Sequence, residues 1–343
     1  MRFIIFFWLI CFSFPVQSDK LYRADNHGPI SVMGEHVHKY NEIMVSYRFA
    51  NMKMSGLMNG TKPISIRESM SAPNYSSEGS SRIYMNAPVK MSMDMHSLGF
   101  MVAPHNYITF MLMTMYFEKE MSQERMPMSG SSRFDVNSNG FGDLDISAMI
   151  KILSSETLEN QLNLGITLPT GSIDKRDSTP ASPNSRLGYT MQNGSGTFDP
   201  YLSINNIIKF TKFKVGKQLY FKSSFSQKNS KGYNYGEFLD VKIWFSYNWI
   251  KNLSSSFKIN YKYRSKMSGS DNEMNPRMSP SMDSKNQGYQ KVNVGLSLNF
   301  VNHRKVLKNN RLGLEIILPI SQNLRGIQMS EDYKTIVGWQ YSF

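Results

Sequence analysis

Two histidines near the start of the chain are spaced so that they can share a metal ion. His36 and His38 are separated by one residue, and Glu35 precedes them. Alternate side chains of an extended chain point to the same side, so the two imidazoles can chelate Cu(II), Zn(II) or Ni(II) together. Two ligands do not close a site, and the others would have to come from His27, His96 or a loop methionine. The alternative is a solvated, irregular N-terminal arm.

Methionine is the second residue type that could do chemistry, because thioether sulfur is a soft ligand that selects Cu(I). The chain has 25 methionines. Several alternate with one other residue, in the groups Met52 and Met54; Met91, Met93 and Met95; Met111, Met113 and Met115; and Met126 and Met128. The alternative is that methionine serves only as a flexible apolar filler on strands.

The two longest methionine runs are expected to differ. If these runs lie on strands of a membrane barrel, one face of each strand contacts lipid and the other faces the lumen. Ser92, Asp94 and His96 alternate with the first run, so polarity places Met91, Met93 and Met95 towards lipid and the three polar residues on the lumen wall. The second run alternates with apolar residues, and there the methionines can line the lumen. The candidate metal ligands are therefore His36, His38, Met111, Met113 and Met115, with copper as the candidate ion.

Catalysis is not expected. Ser92, Asp94 and His96 are too evenly spaced along one strand face to form a nucleophile, base and orienting group. The sequence has no Gly-x-Ser-x-Gly elbow, no zinc-protease helix motif and no phosphate-binding glycine loop. We predict that the protein is not an enzyme and has no catalytic residues.

The start of the chain is typical of an exported protein. Residues 1–18 combine Arg2, an apolar stretch from Phe3 to Phe14 and a small-residue cleavage site ending at Ser18. Cys11 is the only cysteine, so the mature chain is predicted to lack disulfides. We interpret residues 19–41 as a periplasmic arm or short plug, and residues 42–343 as one domain.

The net charge of +13 and the pI of 9.5 would suit an anionic partner. Export argues against nucleic acid, and the basic residues are spread singly. A lipopolysaccharide surface, or a lumen with mild anion preference, is the expected reason for the charge.

The rest of the chain alternates apolar and polar residues with the period of a strand. About twelve segments of roughly ten residues follow this pattern, which is the signature of transmembrane β-strands. Clear rows are Val45, Tyr47 and Phe49; Leu162, Leu164 and Ile166; Val241, Ile243 and Phe245; Phe257, Ile259 and Tyr261; Val294, Leu296 and Leu298; and Leu312, Leu314 and Ile316. No later stretch approaches the roughly 20 apolar residues of a membrane helix.

The connections between these segments alternate between long and short, as extracellular loops and periplasmic turns do in outer-membrane barrels. Aromatic residues near strand ends fit the two interfacial girdles, and the predicted members are Tyr107, Tyr116, Phe117, Tyr220, Tyr247, Trp249, Tyr261, Tyr263, Trp339 and Phe343. The last stretch, from Lys334 to Phe343, has the alternation and terminal Phe of a closing barrel strand, so we expect it to engage the barrel-assembly machinery.

Three glycine-rich stretches carry a family resemblance. They are Gly142-Asp143-Leu144-Asp145, the run from Leu164 to Asp174, and the run from Gly194 to Pro200. They resemble recurring motifs of the outer-membrane β-barrel transporter family labelled meta-pathway of phenol degradation. The runs from Gly34 to Lys39, from Met44 to Arg48 and from Met91 to His96 are similar to a Met/His-rich branch of it. The resemblance implies a barrel and transport, and in that branch a link to copper or another soft metal.

The predicted fold is an all-β, transmembrane, antiparallel up-and-down β-barrel of about twelve strands, with ten to fourteen allowed. We expect a monomer in the outer membrane of a Gram-negative bacterium that passes small solutes, with outer-membrane lipid, lipopolysaccharide and a small solute or metal ion as partners. The alternative is a non-conducting surface barrel with a structural or adhesive role.

Overall fold

The computed structural model describes residues 23–74, 83–125, 132–225, 227–302 and 309–343. The predicted signal, with Cys11, lies outside these residues, as do Met126 and Met128. The strands are β1 (Ile43–Gly60), β2 (Lys62–Ile64), β3 (Asn86–His105), β4 (Ile108–Arg125), β5 (Ser132–Phe141), β6 (Leu144–Ser154), β7 (Leu158–Leu168), β8 (Arg176–Thr179), β9 (Ser182–Arg186), β10 (Asp199–Lys209), β11 (Phe213–Lys222), β12 (Tyr233–Asn234), β13 (Phe238–Ile250), β14 (Leu253–Arg264), β15 (Ser268–Gly269), β16 (Tyr289–Val301) and β17 (Asn310–Ser342). One short helix, α1 (Ile66–Ser71), follows β2.

Eleven of these strands close into an antiparallel ring in the order β1, β3, β4, β6, β7, β10, β11, β13, β14, β16 and β17, and β17 pairs with β1. Two further strands lie outside the ring order, where β2 pairs with β1 and β5 pairs with β4. The predicted fold class is therefore confirmed.

The last element, β17, forms two neighbouring strand passes of the barrel wall. Its residues 311–324 pair with β16, and its residues 324–342 pair with β1. Thirty-three residues in one straight strand would extend about 110 Å, far beyond a hydrocarbon core of about 30 Å. The chain instead turns back near Gly326, whose φ is +69°. The ring therefore contains twelve passes, and an even number is what an all-antiparallel ring requires.

The two faces of the ring have opposite polarity. Side chains that the sequence places on the apolar face are exposed on the outside, and they include Tyr47, Phe100, Leu164, Phe245, Phe257, Leu296, Leu314 and Val337. The inward side chains are polar and buried, and they include Ser147, Asn163, Asn205, Gln218, Ser256, Asn260, Asn293 and Asn299. This is the reverse of a water-soluble protein. A bilayer explains it, because lipid accepts apolar side chains and ring closure pairs every backbone group.

The two rims of the barrel differ as the loop lengths predict. One rim carries the connections β3–β4, β6–β7, β10–β11, β13–β14 and β16–β17, and we call it the short-turn rim. The other, the long-loop rim, carries the connections between the remaining neighbouring strands of the ring, which are long except for the turn within β17. Among the described residues, no helix is long and apolar enough to cross a membrane.

The first methionine run faces the opposite way from the sequence prediction, which was wrong on this point. Met91 and Met95 are buried inside the barrel, so Asp94 and His96 point outward. Strand β3 has 20 residues, whereas about 9–11 suffice to cross the hydrocarbon. Its half near the long-loop rim therefore extends beyond the membrane, where the outside is wet and polarity no longer identifies the lumen face.

Two of the predicted girdle aromatics also point inward. Phe117 and Tyr220 line a cavity of the lumen, so they are not part of an outer belt. The described part of the loop between β14 and β16 is packed, because its Met267 and Met274 are buried against Tyr189.

Candidate functional site in the barrel lumen

Residues 23–42, called the lumen segment below, lie inside the ring. Ala24 N donates to Lys251 O at the β13–β14 turn (3.2 Å), and Asn41 N donates to Ala103 O near the end of β3 (2.9 Å). Both contacts are at the short-turn rim, so the segment enters and leaves by the same mouth. None of its described residues belongs to a strand. It is not the solvated arm that was one of the two alternatives.

Inward side chains satisfy the backbone of the lumen segment, which an unpaired chain inside a barrel requires. Ser31 N donates to Glu315 Oε2 (2.9 Å). Gln161 Nε2 and Asn205 Nδ2 both donate to Gly34 O (2.6 and 3.0 Å). Further bonds join Met33 O to Gln218 Nε2 (2.8 Å), Gly28 O to Arg311 Nη2 (2.6 Å) and His38 N to Thr109 Oγ1 (2.9 Å). The donors and acceptors come from strands around the whole ring, so the segment is fixed from all sides.

A buried ion pair supports this arrangement on one side. Lys258 Nζ donates to Glu315 Oε1 and also to Ser31 Oγ. Lys258 is 1 % exposed and Glu315 is 0 % exposed. The carboxylate divides its oxygens between Lys258 and the backbone of the lumen segment.

Three histidines and a glutamate of the lumen segment come together near the short-turn mouth. Nδ1 of His27 and Nδ1 of His36 lie 3.6 and 3.8 Å from Glu35 Oε1. The ring centroids of His36 and His38 are 4.8 Å apart, and those of His27 and His36 are 4.7 Å apart. His38 Nδ1 lies 2.9 Å from Glu42 Oε1. The i, i+2 spacing predicted one pair, and the bend of the segment adds His27 and Glu35.

The environment of His27 and His36 favours the neutral form of both imidazoles, because it lowers their pKa. Burial lowers the pKa of His27 well below its ordinary value, and the charge of Arg311 lowers it further. Burial, followed by the neighbouring His27, does the same to the pKa of His36. Among the described residues, His27 Nδ1, His36 Nδ1 and His38 Nε2 have no hydrogen-bond partner. All three rings line a cavity of about 510 Å³ that also reaches Lys214.

The second methionine run faces the lumen. Met111, Met113 and Met115 line a separate cavity of about 330 Å³, together with Asp143 and Asp145. Met111 is 3 % exposed. It belongs to a buried cluster that combines four other methionines, namely Met33, Met44, Met101 and Met149. These four were missed because they are isolated in the sequence. For Met44, Met101 and Met149 the only signal was a position on the polar side of an alternating strand, and Met33 lies outside the strands.

The other suggested ligand sources lie elsewhere. His96 is on the outer surface, where its Nδ1 is 2.8 Å from the Tyr47 hydroxyl. Met267 and Met274 pack with tyrosines in the loops of the long-loop rim. The lumen therefore contains two separate candidate sets, one of imidazole and carboxylate and one of thioethers.

The three glycine-rich motifs meet at the long-loop rim. Asp143 Oδ1 accepts a hydrogen bond from Gly171 N (2.9 Å), and its Oδ2 accepts one from Ser195 N (2.7 Å). A Cβ on Gly171 would lie 2.7 Å from the Cα of Gly194, so only glycine allows these two loops to touch. One carboxylate thus joins two loops to the barrel rim.

Comparison with known proteins is informative at the level of structure. No protein-family model matches the sequence, and no curated protein matches it. The crystal structure of the COG4313 outer membrane channel from Pseudomonas putida F1 aligns with a TM-score of 0.59 at 10 % identity, over 92 % of this chain and 100 % of that one. The TodX monoaromatic hydrocarbon channel deltaS2 mutant aligns at 10 % identity over 90 % of this chain and 92 % of that one, with a TM-score of 0.46. The first alignment shows a shared barrel fold. Membership of the phenol-degradation family stays a prediction.

Proposed function

We propose that this chain is a monomeric outer-membrane channel for small solutes, closed in this structure by its own lumen segment. The short-turn rim would then face the periplasm and the long-loop rim the outside. One observation supports the proposal above the others. Polar side chains line much of the bore, and a strand-free piece of chain fills its half near the short-turn rim.

Opening would consist of withdrawing the lumen segment into the periplasm. The side chains that hold it, such as Gln161, Asn205 and Gln218, would then bond to water, so a polar bore would remain. Selection would depend on bore width, on these inward side chains and on the long loops that fold inward.

The outer half of the bore has a second constriction, which is apolar. Met91 and Met121 of the wall pack there with Leu187 and Met191 of the loop between β7 and β10. A solute would have to pass both constrictions. The same proposal includes membership of the phenol-degradation family, contact with lipopolysaccharide and insertion by the barrel-assembly machinery.

Single-channel recording in planar bilayers tests this function. We expect rare or no conductance steps from the intact chain, and frequent steps from a variant lacking residues 24–38. A deletion of the exposed turn at residues 180–181 is the matched control and should behave like the intact chain. Heat-dependent gel mobility would show that each variant is folded. If the folded deletion variant gave no steps, the chain would be the non-conducting surface barrel of the alternative.

A second candidate function is passage of a soft metal ion, which the methionine-lined cavity favours. Met111, Met113 and Met115 present thioether side chains to the same 330 Å³ of space. Substituting all three by leucine keeps the volume and removes the sulfur. We expect Ag(I), a stable substitute for Cu(I), to enter proteoliposomes more slowly through this variant, and equal uptake would remove the candidate.

A further inference from the structure

We propose that His27, Glu35 and His36 form a resident site for one borderline divalent metal ion, Cu(II) or Zn(II), within the lumen segment. The cluster consists of two imidazoles and one carboxylate whose ligand atoms all lie within 4.8 Å of one another. This inference goes beyond the channel function, because the site would bind its ion whether or not the barrel conducts.

The spacing of the three donors fits a bound ion. A tetrahedral ion with bonds of about 2.0–2.1 Å separates its ligand atoms by about 3.3–3.4 Å. His27 Nδ1 and His36 Nδ1 lie 3.6 and 3.8 Å from Glu35 Oε1, so these two distances need a contraction of only a few tenths of an ångström. All three donors lie within 4.8 Å of one another, and binding would also draw the two imidazoles together. In a fully extended chain, the adjacent side chains of Glu35 and His36 would point to opposite sides. The chain is not extended here, because it bends at Gly34, whose φ is +60°.

The donors are free and already oriented. The Nδ1 atoms of His27 and His36 make no hydrogen bond with any described residue, although both are buried. Buried polar atoms normally have a partner, so two orphaned nitrogens facing one carboxylate indicate a missing ligand. Glu35 Oε2 accepts a hydrogen bond from Gly28 N (2.6 Å), which fixes the carboxylate and leaves Oε1 for the ion.

His38 offers a fourth ligand with its own support. Its Nδ1 is paired with Glu42 Oε1 at 2.9 Å, and its Nε2 has no partner among the described residues. Metal-binding histidines usually have this arrangement, in which a carboxylate on one nitrogen orients the other. The ring centroids of His38 and His36 are 4.8 Å apart, so His38 Nε2 is the nearest additional imidazole donor that we would assign to the ion.

The donor set selects the class of metal. Imidazole suits Cu(II), Zn(II) and Ni(II), whereas Mg(II) and Ca(II) need shells of oxygen. The positive charge of the nearby Arg311 guanidinium weakens the binding of every cation, so only ions with a high affinity for imidazole should bind. Cu(II) binds such sites most tightly among the common divalent ions.

Binding would stabilise the closed state. The ion would join residue 27 to residues 35 and 36, on the two arms of the bend, so it would bind the inserted segment and not a withdrawn, extended one. Metal should therefore lower the frequency of opening.

The test is Cu(II) titration of the full mature chain in detergent, followed by electron paramagnetic resonance and calorimetry. We expect one Cu(II) per chain with nitrogen hyperfine splitting. The variant His27→Ala/His36→Ala should bind more than about 100-fold more weakly, because even outer-shell partners contribute about 10- to 100-fold. His96→Ala/His105→Ala removes two histidines that lie outside the cluster and is the matched control, so it should bind as the intact chain does.

Equal affinity in the His27→Ala/His36→Ala variant and in the control would overturn the proposal, as would an absence of stoichiometric binding in the intact chain. The single variant His36→Ala keeps the test decisive if the double variant misfolds. Leucine at positions 111, 113 and 115 should leave Cu(II) binding unchanged. A folded deletion variant that fails to conduct would end the channel proposal without affecting this one.

Discussion

Two parts of the barrel wall that lie half a ring apart have opposite inner surfaces. The wall of β1, β3 and β4 turns methionines inward, and they are Met44, Met52, Met54, Met91, Met93, Met95, Met101, Met111, Met113, Met115 and Met121. The wall of β11, β13 and β14 contains no methionine. Its inward residues include Lys214, Gln218, Asp240, Ser246, Ser256, Lys258 and Asn260.

The lumen segment uses the two walls differently. It presents Met33 and Val37 to the methionine side chains, through contacts that need only volume. The wall of β1, β3 and β4 also adds two hydrogen bonds to the segment, from Arg48 Nε to Ile30 O (3.1 Å) and from His38 N to Thr109 Oγ1 (2.9 Å). Towards the polar wall and the adjoining β17 it presents Ser31, which bonds to Lys258 and Glu315. Position and register therefore depend most on the polar side, where a buried ion pair adds charge to the directional hydrogen bonds, whereas the methionine side chains themselves should tolerate change.

The largest expected effect is on the polar side. Glu315→Gln would leave Lys258 buried without a counter-charge, and breaking a buried pair typically costs about 3–5 kcal/mol. The free energy of unfolding, measured by urea titration in lipid vesicles, should fall by that amount. The double variant Lys258→Met/Glu315→Leu is the control and should lose less. A single variant as stable as the double would contradict the role given to this pair.

The next effect concerns the glycines that let the lumen segment approach β17. A Cβ at Gly313 would lie 2.9 Å from Ile30 Cβ, so Gly313→Ala should overpack this contact and cost about 1–3 kcal/mol. We expect proteases added to purified protein to cut the lumen segment faster. Combining the change with Ile30→Ala should restore protection. Unchanged cleavage in the single variant would show that this contact does not hold the segment.

The methionine wall should tolerate changes that keep volume. Met101→Leu and Met111→Leu should each lower the free energy of unfolding by less than about 1.5 kcal/mol. The same urea titration measures this, and the intact chain is the reference. A loss as large as that of Glu315→Gln would mean that the thioethers are not interchangeable filler and would break the contrast between the walls.

The smallest expected effect tests which side chains of β3 face the inside of the barrel. Cys11 is the only native cysteine and lies in the predicted signal, so single cysteines can be introduced cleanly. Asp94→Cys should react with a membrane-impermeant maleimide on intact cells, because Asp94 faces outward, with a stability change within about 0.5 kcal/mol. Met95→Cys should be protected. Equal labelling of the two would show that the inner face of β3 is wrongly assigned.

Most of the fold could be predicted from sequence because lipid imposes one simple rule on the outer face. Rows such as Phe257 with Ile259, and Leu312 with Leu314, are exposed as that rule requires. The rule failed for Met91, Met93 and Met95, since that part of β3 stands in water on the outside and its alternation carries no lipid signal.

The candidate site could be predicted only in part. The spacing of His36 and His38 places them together on any extended chain. The approach of His27 and Glu35 depends on the bend of the segment and on the backbone bonds that the distant residues Gln161 and Asn205 make to it. Gly34 is a local sign that the chain can turn there, but the bonds to Gln161 and Asn205 have no local signature in the sequence.

Both ends of the lumen segment lie at one mouth of the barrel, at Lys251 and at Ala103. The described chain therefore folds into the bore as a loop and never threads through it. Such a loop can leave and return while all twelve passes stay paired, since no ladder bond is shared between them. Repeated cycles of opening would then require no unfolding of the barrel, and the insertion could also follow closure of the ring during assembly.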